Sequence, residues 1–294
     1  MLSPWLDDPA AEQTLAAWSD AIGLDLRRLG TTAGADEIKD TAVTQPLIVA
    51  TALLAAERLA AKVELPASAP TAGHSVGELA ASAVAGVLTP DAAVAFAAVR
   101  GREMAAACAL EATGMSAVLG GKPEDVLATL DGLGLDPANR NGAGQVVAAG
   151  PVDALAALAE NPPERARVIP LAVAGAFHTR FMAPAEEALR SHAEGITPGE
   201  PTRPMLSNAD GELVKDGADT LRRLVAQVTR PVRWDSCMAA LRELGVTAVI
   251  ELPPAGTLVG LVKRELKGTA TLALKTPDDL DAAAAFVAEH GAQS

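Results

Sequence analysis

Residues 73–78 read Gly-His-Ser-Val-Gly-Glu, a serine with a glycine two positions to either side, followed by an alanine-rich stretch with helical spacing. Glycine is required at those two places when a chain leaves a strand and turns sharply into a helix, because the backbone there crowds itself. Such a turn presents the Ser75 hydroxyl at a helix N-terminus, where backbone N–H groups can hold an oxyanion. A plain glycine-flanked turn shares the pattern, and the segment leading in, residues 67–72, has no β-branched residue except Thr71. A serine hydroxyl becomes a useful nucleophile only when a base takes its proton, and histidine is the usual base near neutral pH. The chain offers four histidines. His74 adjoins Ser75, so its ring leaves the turn in another direction and suits a positioning role. His192 falls near the end of a polar helical stretch and His290 in the C-terminal tail, where solvated histidines are common. His178 lies between the apolar residues 173–177 and a helical pattern over 179–192, a boundary where a side chain can face a cleft. A structural histidine with satisfied hydrogen bonds fits the same position.

The elements that must hold these residues follow from periodicity. Apolar residues recur at helical spacing over 11–22, 45–61, 76–87 and 90–110. After Gly114 the texture changes to short runs of strand type at 115–119, near 137–141, at 145–149 and at 167–173, alternating with helical runs at 123–133 and 152–158. That order is a βαββαβ unit, and residues 114–174 are expected to form an inserted small domain. Residues 1–113 and 175–294 then make the large domain, in which strand-like 204–208, 246–252 and 270–274 alternate with helices. The class is α/β, with a mainly parallel sheet carrying helices on both faces. Residues 66–70 read as the connection into the Ser75 segment.

Composition narrows the function. A chain of 294 residues with 49% hydrophobic content can bury a full core. Lys and Arg number 24 against 37 Asp and Glu, a net charge of −13, which opposes attraction to nucleic-acid backbones. With 2% aromatic residues and no tyrosine, stacking platforms for single strands are missing too. The richest apolar run, residues 47–56, is about half of what spans a bilayer, so no membrane association is expected. Cys108 and Cys237 belong to no Cys-x-x-Cys pair, which points away from a metal site and towards a reduced cytoplasm.

At these residues the sequence resembles the malonyl-CoA:acyl carrier protein transacylases of fatty-acid synthesis and the related acyltransferase domains of polyketide synthases. Five ordered motifs carry the resemblance over nearly the whole chain: Gly-His-Ser-Val-Gly-Glu at 73–78, Arg-Gly-Arg-Glu-Met at 100–104, Asn-Gly-Ala-Gly-Gln-Val-Val-Ala-Ala-Gly at 141–150, Gly-Ala-Phe-His-Thr at 175–179 and Gln-Val-Thr-Arg-Pro-Val-Arg-Trp at 227–234. The resemblance implies a hydrolase-like large domain and a ferredoxin-like small one. It makes Ser75 the acylated nucleophile and His178 its base, oriented by the backbone carbonyl of Gln227 in place of a carboxylate. Arg100 becomes the guanidinium that grips the malonyl carboxylate, and the Val76 N–H an oxyanion donor. Phe177 matches the malonyl-selective pattern, its ring leaving no room for a branching methyl. The substrates implied are malonyl-CoA and the phosphopantetheine thiol of acyl carrier protein, the reaction is ping-pong, no cofactor or metal is needed, and a monomer is expected.

The sequence departs from that family at its start. Members open with a hydrophobic strand and a Gly-Gln-Gly type loop whose glutamine supplies the second oxyanion N–H, whereas this chain opens Met-Leu-Ser-Pro-Trp-Leu. The expectation is that Met1 is an internal methionine and that the natural chain extends upstream. Pro253-Pro254-Ala255-Gly256 stands where a Gly-Pro-Gly type turn is common. Two other readings use the same residues: a serine thioesterase or hydrolase that releases the acyl group to water, and a carrier-protein scaffold impaired by the absent loop. An acidic carrier would dock on a local basic patch, either Arg165 with Arg167 or Arg222, Arg223, Lys263 and Arg264.

Overall fold

Helix α1 (Pro9–Ile22) begins where the Asp8 side chain accepts the Ala10 amide, and α2 (Thr41–Lys62) where Asp40 does the same for Ala42. The computed structural model describes residues 1–291. After α2 come α3 (Gly77–Val84) and α4 (Pro90–Cys108), the last capped by Thr89 on the Ala92 amide. The main core forms where α2 and α4 pack together, with Leu47, Val49, Leu53, Val94, Phe96 and Met104 buried in one cluster. Gly101 permits the closeness: a Cβ there would stand 2.6 Å from the Thr41 carbonyl oxygen. The same approach sets Arg100, its neighbour, opposite Gln45 of α2. Helix α2 is, among the described residues, long and apolar enough to cross a membrane, and most of its apolar stretch is buried in this core.

The small sheet holds β1 (Thr113–Gly120), β2 (Asp136–Gly142), β3 (Gln145–Pro151) and β4 (Ala166–Pro170), in the order β2-β3-β1-β4 with every pair antiparallel. Helices α5 (Pro123–Gly132) and α6 (Val152–Glu160) cover one face, with Val118, Val126, Leu130, Leu155 and Leu158 between. The other face sets Met115, Ala138, Val147 and Ala149 against Ala176, Phe177 and Phe181 of the large body. Strand β4 stops at Pro170 rather than running to residue 173, because the chain turns back there: the Leu171 N–H still reaches the Met115 carbonyl of β1 (3.0 Å), but the Val173 N–H donates to the Leu171 carbonyl (3.0 Å).

Beyond it lie α7 (Ala183–Ala193), preceded by a short 3-10 turn at Arg180–Met182, then α8 (Gly217–Ala226) and α9 (Trp234–Glu243). The remaining elements are β5 (Ala248–Glu251), α10 (Thr257–Glu265), β6 (Ala270–Ala273) and α11 (Leu280–His290). The fold is α/β, but the expected mainly parallel sheet of the body is a two-stranded parallel pair, β5 with β6. Residues 204–208 form no strand; they make single bridges from Met205 to Thr71 and from Leu206 to Leu213. The physical reason is an interruption. A cavity of about 910 Å³ is lined on one side by residues 71–74 and on the other by residues 246–252, so the two sheet fragments have no ladder between them.

Candidate active site

Ser75 occupies a left-handed conformation, φ 53°, one turn ahead of α3. Gly73 of the motif is needed sterically, since a Cβ there would stand 2.1 Å from the Gly77 carbonyl carbon, whereas a Cβ on Gly77 would meet open space. Two amide side chains grip the serine's own peptide groups. Its N–H donates to Asn208 Oδ1 (2.8 Å) and its carbonyl accepts from Gln227 Nε2 (3.0 Å). Asn208 Nδ2 in turn donates to the Gly73 carbonyl (2.7 Å). A non-glycine residue at positive φ costs about 1–3 kcal/mol, and it persists only where surrounding bonds over-determine it, as here.

The Ser75 hydroxyl donates to His178 Nε2 at 2.7 Å, and His178 Nδ1–H donates to the backbone carbonyl of Gln227 at 2.9 Å. A serine, a histidine and a neutral acceptor therefore stand in one line, with a carbonyl where a carboxylate often serves. The histidine is buried and, like the serine, left-handed, with φ 61°. Burial, and then the positive charge of Arg100, push it down to about 3, so in the unliganded site it is neutral with Nε2 free to accept a proton.

Arg100 is buried to 2% exposure and makes no direct ion pair with a carboxylate among the described residues. Its Nη1 donates to Gln45 Oε1, and its Nη2 to Gln227 Oε1 (2.9 Å) and Ser75 Oγ (3.2 Å). Nε has no partner. Burial lowers it to about 10 against the raising influence of Glu78, so it stays cationic. A buried guanidinium that faces amide and hydroxyl oxygens beside a serine hydroxyl has the chemistry to accept an acidic group as partner.

His74 turns away from Ser75: its Nε2 meets Asn141 Oδ1 at 2.8 Å and its ring lies edge-on to Trp234. It thus ties the serine turn to β2 of the small sheet. His192 meets the Phe96 ring and His290 the Phe286 ring, both away from these bonds. Phe177 is half-buried between the main core and the small sheet. The Val76 N–H has no hydrogen-bond partner among the described residues.

The family model for the acyl transferase domain matches residues 10–289. The chain belongs to the acyl transferase domain family. It is 59% identical, over 96% of its length and 98% of the other protein, to the malonyl CoA-acyl carrier protein transacylase of Mycolicibacterium smegmatis. The crystal structure of the MCAT from Mycobacterium tuberculosis superposes with a TM-score of 0.93 at 56% identity, covering 96% of this chain and 94% of that one. A type II PKS acyl-carrier protein in complex with its malonyl-transacylase matches at TM-score 0.89 and 30% identity, covering 97% and 94%.

Within this acyl transferase the serine, the histidine, the arginine and the Gln227 carbonyl, each singled out in the sequence, converge on one point. Sequence reasoning missed four side chains there: Gln45, Glu78, Asn208 and the amide of Gln227 itself. Gln45 left a signal, a lone amide in an apolar helical run. Glu78 closes the glycine-serine motif, yet its type suggests a solvated first-turn carboxylate, whereas it is 2% exposed. Asn208 had no signal, because it comes from 133 residues downstream of the serine it holds.

Proposed function

We propose that the chain transfers a malonyl group from malonyl-CoA to the phosphopantetheine thiol of acyl carrier protein through a malonyl ester on Ser75. The transacylase activity rests on the 59% identity over nearly the full length of both proteins. The observation that carries the choice of acyl group is Arg100, a buried cation with no direct ion pair among the described residues, 3.2 Å from the Ser75 hydroxyl oxygen.

Ser75 Oγ attacks the thioester carbonyl while His178 Nε2 takes its proton and the Gln227 carbonyl holds the resulting imidazolium. The oxyanion is received by the free Val76 N–H. The carbon–sulfur bond breaks, and coenzyme A leaves as a thiol with the proton from His178. The carrier thiol then gives its proton to His178, attacks the ester and releases Ser75. The malonyl carboxylate, paired with Arg100, also cancels the charge that depresses His178, so an acidic acyl group makes its own base stronger. An acyl group without a carboxylate leaves both effects unmade. Phe177, next to the base, limits branching at the carbon between the carbonyls.

The reaction needs no metal or cofactor beyond these groups, and the residue types fit a monomer in a reducing cytoplasm. Residues 114–174 act as a ferredoxin-like insert that closes the cleft over residues 1–113 and 175–294. For carrier docking, Arg222 and Arg223 are engaged by Asp219 and Asp210, while Arg167, Lys263 and Arg264 have no ion pair among the described residues. The test is incubation with malonyl-CoA, acid quench and peptide mapping. One malonyl group on Ser75 is expected, absent in Ser75→Ala and passed to added holo carrier. In Arg100→Ala, kcat/KM for malonyl-CoA should fall about 10²–10³-fold, the cost of a charged partner left unpaired. Free malonate in the absence of carrier would favour the hydrolase reading, and carrier binding without any label would favour the scaffold.

A further inference from the structure

Glu78 lies in the first turn of α3, 2% exposed, and takes no part in the chemistry above. One carboxylate oxygen accepts the Asn208 N–H at 2.8 Å, and the other accepts Gln227 Nε2–H in a short bond. A carboxylate only accepts. Gln227 must therefore turn its NH₂ towards Glu78, which leaves its Oε1 towards Arg100 Nη2 at 2.9 Å. The reversed amide would set NH₂ against the guanidinium, donor facing donor, and its carbonyl against the carboxylate, acceptor facing acceptor. Asn208, whose N–H rests on the same carboxylate, holds the Ser75 N–H, and Gln227 Nε2 also holds the Ser75 carbonyl.

We propose that Glu78 is a positioning residue: its carboxylate fixes the polarity of the Gln227 amide and so aligns Arg100 to receive an acidic acyl group. The proposal rests on the reading of Arg100 as the carboxylate receptor. The charged and polar groups that face Glu78 are Arg100 from α4, Ser207 and Asn208 from the segment after the Met205 bridge, Gln227 from the end of α8, and Cys237 from α9. Burial, against the bonds from Asn208, Gln227 and Ser207 and the charge of Arg100, raises Glu78 to about 7. A proton there turns one acceptor into a donor, and the amide loses its enforced direction. Preference for malonyl over a neutral acyl group accordingly falls as pH drops through about 7. The free malonyl carboxylate, with a pKa near that of an ordinary carboxylic acid, about 4, stays ionised across that range.

The experiment measures kcat/KM for acylation by malonyl-CoA and by acetyl-CoA from pH 6 to 9. The proteins are the wild type, Glu78→Gln, Gln227→Ala, their double variant and Arg100→Ala. Because kcat/KM reports the titration of the free enzyme, the protonation of His178 is common to both thioesters and cancels in the malonyl-to-acetyl ratio, while the stronger base that a bound malonyl carboxylate makes adds only a constant factor. In Glu78→Gln the ratio is expected to drop at least about tenfold and to lose its pH dependence, and the double variant should be no worse than Gln227→Ala alone. Equal loss for both thioesters in Glu78→Gln, with the ratio collapsing only in Arg100→Ala, overturns the positioning role and spares the receptor. A ratio unchanged in Arg100→Ala overturns the receptor reading and this one with it. If Glu78→Gln does not fold, the wild type decides: a ratio that falls below pH 7 sustains the proposal, and a flat one refutes it.

Discussion

Val118, Val126, Leu130 and Leu158 of the small sheet form a buried aliphatic cluster, whereas the pocket around Ser75 buries Glu78, Arg100, His178 and Gln227 within one hydrogen-bonded group. The first region gains stability from every side chain it hides, about 25 cal/mol for each Å² of apolar surface. The second gives stability up: two of its residues hold left-handed backbone, and its carboxylate, guanidinium and imidazole are all shifted by burial towards their neutral forms. What the contrast teaches is where each can be changed. In the sheet a substitution should cost stability and leave chemistry alone; around Ser75 it should cost chemistry and can return stability.

The largest effect expected is in the sheet. Leu130, 0% exposed between α5 and the strands, cannot be replaced by a neighbour's collapse, and Leu130→Ala should cost about 3 kcal/mol in chemical denaturation. The acylation rate of the folded fraction should stay within about twofold. The pocket should respond in the opposite sense to Glu78→Gln. Because burial raises Glu78 from 4.5 to about 7, the folded state holds a proton that the unfolded state has released, so the wild type loses stability as pH climbs through that window. The melting temperature of Glu78→Gln relative to wild type should therefore rise between pH 5 and pH 8. A constant difference would mean that the carboxylate is solvated and that the two regions are not opposed.

How much of this was legible differs between the regions for the same reason. The six elements of the small sheet are legible in chain order because each is a short run with its own strand or helix texture, although only β2 and β3 pair with a chain neighbour and the order β2-β3-β1-β4 is not in that local pattern. The serine motif and the histidine boundary were legible because the turn needs glycines and the base needs a segment end. Asn208 and the side-chain amide of Gln227 were not, since nothing within several residues of either tells that they meet around Ser75, and Glu78 looks like a helix-dipole carboxylate until its burial is seen. The body sheet was over-read at residues 204–208, which have strand composition, but composition cannot say whether an edge finds a partner; within 246–252 the strand forms as β5. At 204–208 Met205 bridges Thr71, the one β-branched residue in a segment otherwise poor in strand formers, and Leu206 bridges Leu213.

The two regions meet at β2, and that junction gives an intermediate test. Arg140 N–H donates to the Val232 carbonyl and Val232 N–H to the Ala138 carbonyl, both at 2.9 Å, while Asn141 holds His74 beside the nucleophile. Asn141→Ala leaves a half-buried imidazole nitrogen without its protein partner and should cost about 1 kcal/mol. If the sheet steadies the serine turn through this bond, kcat for acylation falls as well. An unchanged kcat with the same loss of stability would make the bond structural only.

The smallest effect tests the open side of β5. The carbonyls of Thr247 and Glu251 accept from the Ala270 and Leu274 amides at 2.8 and 2.9 Å, so the alternate residues Ala248 and Ile250 turn their peptide groups to the other edge, where the cavity lies. Ile250 is of a type that belongs in a sheet interior, yet it is only half-buried against Trp5, Leu59 and Leu274. Its truncation to alanine removes contacts on one flank alone, since the other flank has no atoms to lose. Ile250→Ala should then cost about 1 kcal/mol, a third of the Leu130→Ala penalty, when both are measured by urea unfolding under the same conditions. A loss equal to that of Leu130→Ala would show that the cavity is closed in solution and that β5 sits in a sheet as complete as the small one.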